Sequence, residues 1–300
     1  MKVISYRNND GTESVGLIRE ESTSPIDLIR AIEMFAVAHD ECVPLISTML
    51  DILDAGLLDV RVLNEIMQFV DLHGLVDCLK VADGYQILAP IARPRTIYAL
   101  GRNYPAHAKE GGGEVPTEPI IFGKAVTAVI GPEDEVVYKN FLARVDPEAE
   151  LAVVIGKCGS NISEEDAPFY IAGYTIVNDV TARELQTQDF GHSYPWFRSK
   201  GIDTFCPMGP NITLPDEITF PVELDVEMRV NGELRQKDNS RSLTFNIPFI
   251  ISWISRYNTL YPGDVISTGT PEGMIPVFPG DVMEVYVEKI GVLKNIVAAE

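Results

Sequence analysis

No apolar run in this chain approaches the ~20 residues that a helix needs to cross a bilayer. The opening segment, MKVISYRNND, also lacks the apolar core of a signal peptide. The expectation is therefore a cytoplasmic protein with no membrane partner. Cysteine is scarce: Cys42, Cys78, Cys158 and Cys206 lie far apart and form no CxxC pair. Such spacing argues against a disulfide framework or thiolate metal site and leaves four reduced thiols. Histidine is equally thin, with only His39, His73, His107 and His192, too scattered for a two-histidine metal site. Positive charge is short as well. Lys and Arg number 24 against 44 Asp and Glu, a net charge of −20. That balance repels phosphate backbones and anionic lipid surfaces, so nucleic-acid partners are not expected.

What is present is an ordinary globular chain. Its 300 residues suffice for one large domain or two smaller ones. Residues 2–20 read as two short strands around the turn signal Asn8-Asn9-Asp10-Gly11. Helical spacing of apolar residues follows from Asp27, across Leu45–Leu57 and across Val62–Val70. His39 and His73 fall at or just beyond helix ends, where no chemistry is expected of them. The two prolines of Leu88-Ala-Pro-Ile-Ala-Arg-Pro-Arg mark a junction, which predicts a small N-terminal α+β domain over 1–90 and a second domain over 91–300. In the latter, Val222, Leu224, Val226, Met228 and Val230 alternate with polar residues up to Asn231-Gly232, the pattern of a half-buried strand entering a hairpin. Pro262-Gly263-Asp264 and Pro279-Gly280-Asp281 each read as a turn feeding a strand. With no regular βαβ alternation, the second domain is expected to be mostly β with a few inserted helices.

Three segments carry chemistry. In Asp146-Pro-Glu148-Ala-Glu150 the chain passes from charge into the apolar run Leu151–Ile155. On a strand, Glu148 and Glu150 point to one face, either as solvated acids at an exposed strand start or as a pair that needs a cation. A second apolar run, Tyr170–Asn178, ends in Asp179, and Thr181-Ala-Arg-Glu184 has capping-box spacing for a helix starting there. Asp179 is then either a turn residue or the third carboxylate of an all-oxygen site suited to Mg²⁺ or Mn²⁺. Pro105-Ala-His107-Ala-Lys-Glu110 predicts a short helix stopped by Gly111-Gly-Gly113, with His107 and Glu110 on one face. That helix is either a solvated surface element or a hinged lid carrying a general base. Lys200, among aromatic residues, either snorkels or supplies charge to an enolate. The Thr268-Gly-Thr270-Pro-Glu-Gly273 loop offers hydroxyls and exposed backbone to a carboxylate.

In this order, Gly101-Arg-Asn-Tyr, His107-x-x-Glu110, Glu148-x-Glu150-Leu-Ala-Val-Val-Ile-Gly, Asn178-Asp179-Val-Thr-Ala-Arg, Lys200 and Thr268-Gly-Thr-Pro-x-Gly resemble the fumarylacetoacetate hydrolase family from about Arg93 to Val287. The resemblance implies an α+β protein: a mixed β-sandwich roll as catalytic domain, preceded by the small N-terminal domain. It also implies a homodimer and metal-dependent chemistry on β-dicarbonyl or 2-oxo acids. By the same resemblance Glu148, Glu150 and Asp179 are expected to ligate one Mg²⁺ or Mn²⁺, His107 and Glu110 to activate water, and Lys200 to stabilise the enolate. Arg102, Tyr104, Gln186 and Thr270 are expected to touch the substrate. Two departures stand out: Met-Ile-Pro-Val-Phe follows Gly273, and Pro105-Ala106 follows Tyr104. The reaction expected first is hydrolytic C–C cleavage of an acylpyruvate-like substrate. Decarboxylation of oxaloacetate and isomerisation of a hydroxy-dienedioate are the alternatives, and a silent ligand-binding dimer is the non-enzymatic one.

Overall fold

A computed structural model describes residues 1–19, 24–40, Cys42 and 45–300. The first strands are β1 (Lys2–Arg7) and β2 (Glu13–Ile18), followed by helices α1 (Leu28–Ala38), α2 (Met49–Asp54) and α3 (Val60–Leu72). Then come β3 (Ile97–Gly101), α4 (Pro105–Glu110), β4 (Ile120–Gly123), β5 (Glu135–Tyr138), β6 (Ala149–Ile155) and β7 (Ile171–Asn178). Helices α5 (Arg183–Gly191) and α6 (Phe197–Lys200) lead into β8 (Cys206–Thr213), β9 (Asp225–Val230) and β10 (Glu233–Asn239). Helix α7 (Ile247–Tyr257) and strands β11 (Val265–Ser267), β12 (Val282–Val287) and β13 (Gly291–Ala299) complete the main elements.

The larger sheet runs β2-β1-β8-β7-β6-β11-β3-β4, and the smaller runs β10-β9-β12-β13-β5. Pairing among these strands is antiparallel except at β11–β3 and β13–β5, so both sheets are mixed. The pleat of β6 shows how the layers stack. Leu151, Val153 and Ile155 enter one core with Val226 and Met228 of β9 and Met283 and Val285 of β12. Ala152 and Val154 enter a second core with Leu28, Ile32, Leu63 and Ile66 from α1 and α3. The larger sheet is thus covered by the smaller sheet on one face and by N-terminal helices on the other. That is why every residue of β6 and β7 is buried and why both read as apolar runs. This is the mixed roll with a small N-terminal unit that the resemblance implied. The N-terminal hairpin is also hydrogen-bonded into the larger sheet, with Lys2 opposite Thr213 and Val3 opposite Ile212.

Local signals held where short-range chemistry decides. Asn231 (φ 53°) and Gly232 (φ 79°) form the left-handed pair of the β9–β10 hairpin turn. His39 and His73 are C-caps of α1 and α3. Three boundaries moved. Helix α2 is shorter than Leu45–Leu57 because Thr48 and Asp51 form a capping box, Asp51 N–H donating to Thr48 Oγ1 (3.2 Å) and Thr48 N–H to Asp51 Oδ2 (2.8 Å). Strand β9 starts at Asp225 and not Val222, since the Ser240 hydroxyl takes both Val222 C=O and Leu224 N–H (2.8 Å each). Thr181 does not cap a helix. Its hydroxyl donates to Asp179 C=O (2.9 Å), Thr181 pairs with Asp146, and α5 begins only at Arg183.

Candidate active site

Two neighbouring strands bring the acids together. Glu148 immediately precedes β6, Glu150 lies within it, and Asp179 follows the last residue of β7. Ala149 of β6 faces Asn178 of β7 in register. Beside that pair, Asp179 N–H donates to Glu148 C=O and Glu148 N–H to the Asn178 side chain, both at 2.9 Å. The alternation of the strand puts Glu148 and Glu150 on one face. Oxygens of Glu148, Glu150 and Asp179 lie within 4.8 Å of one another, and all three residues are buried.

Burying three carboxylates is costly unless positive charge compensates them. Lys200 Nζ donates to Glu148 Oε2 (2.6 Å) and to Asp179 Oδ2 (2.5 Å). Lys124 Nζ donates to Asp179 Oδ1 (2.5 Å) and to the Lys200 carbonyl (2.5 Å). Arg183 donates to Glu148 Oε1, to Asp146 Oδ2 (2.7 Å) and to Gln186 Oε1 (2.6 Å). Burial would raise the Glu148 pKa, but Lys200 and Arg183 outweigh it and hold the carboxyl ionised. Burial likewise opposes the charge on Lys200, and Asp179 and Glu148 overcome it, so the ammonium is retained. Glu150 differs. Its Oε2 accepts only the Ser267 hydroxyl (2.5 Å) and Gly269 N–H (2.9 Å), and burial together with Asp179 pushes its pKa up to about 8.

This donor set fits a divalent cation. The Lys200 ammonium already spans two of the carboxylates, while the third is a buried acid short of positive charge. Hard oxygen ligands of this kind suit Mg²⁺ or Mn²⁺.

Glu148 and Glu150 of the triad line a cleft of about 380 Å³. Its wall includes the expected residues Arg102, His107, Glu110, Gln186, Lys200 and Thr270, together with aromatic Phe122, Phe190 and Trp196. Arg102 has left-handed backbone (φ 59°), and its guanidinium packs 5.0 Å from the Phe190 ring centre. Tyr104 is not on this wall. It is completely buried, its hydroxyl has no partner among the described residues, and burial keeps that phenol protonated. His107 is nearly buried, which lowers its pKa, and among the described residues its Nδ1 has no hydrogen-bond partner. Glu110 stands 3.8 Å from that nitrogen, beyond hydrogen-bond reach. Its carboxylate instead accepts the backbone N–H of Gly273 (2.9 Å) and Met274 (3.1 Å). Gly273 has φ 109°, and a Cβ there would come within 2.1 Å of the Arg235 carbonyl oxygen, so only glycine fits this latch point.

Sequence reasoning missed four polar residues built into the site. Lys124 had one weak signal, a lysine directly after the strand Ile120–Gly123. Arg183 and Asp146 lay inside motifs already singled out, yet their pairing spans 37 positions. Gln236, on the smaller sheet, carried none.

A triad of buried carboxylates, two of them on a cleft wall and all backed by two lysines and an arginine, is consistent with a divalent-metal site. The particular family emerges from comparison: residues 96–298 match the family model described as Fumarylacetoacetate (FAA) hydrolase C-terminal. The chain belongs to the fumarylacetoacetate hydrolase family. It is 43% identical over 215 residues to the human mitochondrial oxaloacetate tautomerase FAHD2A, spanning 69% of this chain and 68% of that protein. The fumarylacetoacetate hydrolase of Exiguobacterium antarcticum superposes over the whole of both chains with a TM-score of 0.80 at 32% identity. The fumarylpyruvate hydrolase of Pseudomonas aeruginosa, solved with Mn²⁺ and pyruvate, is also 32% identical. Its TM-score is 0.67, over 73% of this chain and 93% of that one.

Proposed function

We propose that this protein is a divalent-metal-dependent enzyme that interconverts the keto and enol forms of a small 2-oxo dicarboxylic acid of the oxaloacetate kind. The observation that carries this reading is the buried Glu148–Glu150–Asp179 cluster, with the Lys200 ammonium at 2.5–2.6 Å from two of its members, and with Glu148, Glu150 and Lys200 on the wall of a cleft that also holds Arg102. Glu148, Glu150 and Asp179 would hold Mg²⁺ or Mn²⁺. The cation would supply positive charge that favours the enolate of a 2-oxo acid.

The chain's own residues supply the rest. Tautomerisation moves one proton from C3 to the 2-oxygen, with no bond between heavy atoms broken. His107, kept neutral by burial, lines the cleft and offers its imidazole to take or return the C3 proton. Lys200 places a retained ammonium where charge develops. Arg102, Gln186 and Thr270 bind the carboxylates, and Phe122, Phe190 and Trp196 exclude water. Local cations thus recruit an anion despite the net charge of −20. Tyr104 has no contact role in this reading.

Tautomerisation is preferred over hydrolysis because Glu110 is engaged by two backbone amides and does not hydrogen-bond His107, so no Glu–His relay to a water is assembled. The likeness to an oxaloacetate tautomerase supports the same choice. The free His107 nitrogen and the likeness to a fumarylpyruvate hydrolase favour C–C hydrolysis as a second reading. Both assume a homodimer, the assembly expected from family resemblance; a monomer in light scattering would refute that.

One assay separates the reactions. With Mn²⁺, the decay of freshly dissolved enol-oxaloacetate and the cleavage of a series of acylpyruvates are followed side by side. Accelerated enol decay, abolished in Lys200→Met, is expected. Acylpyruvate cleavage with no effect on enol decay would overturn the tautomerase reading in favour of the second.

A further inference from the structure

The smaller sheet sends one side chain into the machinery of the larger. Gln236 of β10 is buried and stands between the strand that carries the glutamates and the loop that carries Thr270. Its Oε1 accepts Ala149 N–H (2.9 Å), the residue between Glu148 and Glu150. Its Nε2 donates to the Pro271 carbonyl (2.7 Å) and to Thr270 Oγ1 (2.9 Å).

Two of these partners have fixed polarity. A backbone N–H can only donate and a backbone C=O can only accept, so the amide has one permitted orientation. The remaining amide hydrogen must then go to Thr270, whose oxygen becomes an acceptor on that side. A hydroxyl has one hydrogen of its own. Among the described residues no protein acceptor takes it, and Thr270 lines the cleft. The hydrogen is therefore left for an anionic ligand.

We infer that Gln236 is a positioning residue that fixes Thr270 as a hydrogen-bond donor toward the bound 2-oxo acid. The inference rests on the proposed reading of the cleft, and it concerns ligand affinity and not the cation. Ala149 is also held by the β6–β7 ladder, opposite Asn178, so the triad does not depend on Gln236 for its register.

The test is a double-mutant cycle read by calorimetry, with oxalate as the probe in saturating Mn²⁺. Gln236→Glu keeps an acceptor for Ala149 N–H but carries at most one hydrogen, for which Pro271 and Thr270 compete. Oxalate affinity should fall about tenfold or more in Gln236→Glu and in Thr270→Val, about the effect of one charge-assisted hydrogen bond. The double variant should be no weaker than Thr270→Val alone. Adding Gln236→Glu to Thr270→Ser, which restores a hydroxyl, should bring the loss back. Mn²⁺ affinity without oxalate should stay within threefold throughout. Additive losses in the double variant, or Mn²⁺ affinity falling in parallel, would show a merely structural role and overturn the inference. If Gln236→Glu does not fold, Gln236→Met takes its place, and failure of both to fold overturns the inference too. Wild-type protein that binds no oxalate in Mn²⁺ takes down the reading of the cleft and this inference with it. Oxalate binding that ignores Gln236 sinks the inference alone.

Discussion

Glu110 gives a prediction whose size can be worked from geometry. Its carboxylate ties helix α4 to the loop after Thr270 by accepting the N–H groups of Gly273 (2.9 Å) and Met274 (3.1 Å). Hydrogen bonds to a charged group contribute about 1.5–3 kcal/mol each when shielded. The Glu110 side chain is 31% exposed, and that exposure puts the pair at the low end, about 2–3 kcal/mol together. We propose that α4 is a lid hinged at Gly111-Gly112-Gly113; losing the latch would then shift its open–closed balance by nearly this amount. At about 1.4 kcal/mol per factor of ten, opening should become roughly 30- to 100-fold more frequent. Hydrogen exchange read by mass spectrometry across residues 105–113 tests this directly. Glu110→Ala should speed exchange there by up to that factor, with β6 and β7 unchanged. Glu110→Gln keeps one acceptor oxygen and should fall between. Oxalate with Mn²⁺ should slow exchange in the wild type and less so in Glu110→Ala. Identical protection of residues 105–113 in wild type and Glu110→Ala would refute the latch and return Glu110 to a purely chemical role.

The same site yields further expected outcomes. Glu150→Gln should lower Mn²⁺ affinity by more than about 100-fold in calorimetry, since loss of even an outer-shell partner costs 10–100-fold; unchanged affinity would remove Glu150 from the ligand set. Lys200→Met leaves Glu148 and Asp179 without their shared ammonium, and stranding a buried charge costs about 3–5 kcal/mol. Its melting temperature in chelator should drop by several degrees and recover with Mn²⁺, while enol-oxaloacetate decay slows by about 10²–10³; a drop that Mn²⁺ leaves untouched would count against cation and ammonium sharing these carboxylates. His107→Ala should slow enol decay by about 10²–10⁴, the usual loss of a general base, and undiminished turnover would move the proton transfer to another group. Gly101→Ala would bring a methyl to 2.7 Å from the Trp196 ring and should disturb the cleft without touching the triad. Its KM for oxaloacetate should rise with Mn²⁺ affinity intact, and a fall in Mn²⁺ affinity would tie this wall to the metal site.

The parts of this site that were legible in the sequence are those that local physics encodes. The i, i+2 glutamates share a face because a strand alternates, and an apolar run ending in Asp179 predicts a buried strand end whatever the rest of the chain does. The helix Pro105–Glu110 was readable because proline starts it and glycines stop it. What stayed hidden depends on pairs far apart in sequence. Lys124 meets Asp179 across 55 positions and Gln236 meets Ala149 across 87, and neither distance leaves a periodic trace. Capping-box spacing at Thr181–Glu184 misled for one local and one long-range reason. The Thr181 hydroxyl had a better partner in the Asp179 carbonyl, and the strand pairing with Asp146 delayed the helix.

The contrast has a physical source that bears on mechanism. Acids that bind a cation must converge, and convergence is cheaply obtained from two adjacent strands, so their pattern is local. The groups that compensate those acids before a cation arrives must come from elsewhere, because a strand that also carried the cations would satisfy its own carboxylates. Here the compensation arrives from the residue after β4, from the end of α6 and from the start of α5. It is uneven, leaving Glu148 firmly ionised and Glu150 with a pKa of about 8. A cluster held in that state is stable enough to fold, yet short of positive charge at one ligand. In the proposed reading, that shortfall is what a divalent cation would fill, in a site built from contacts that no single segment of the sequence displays.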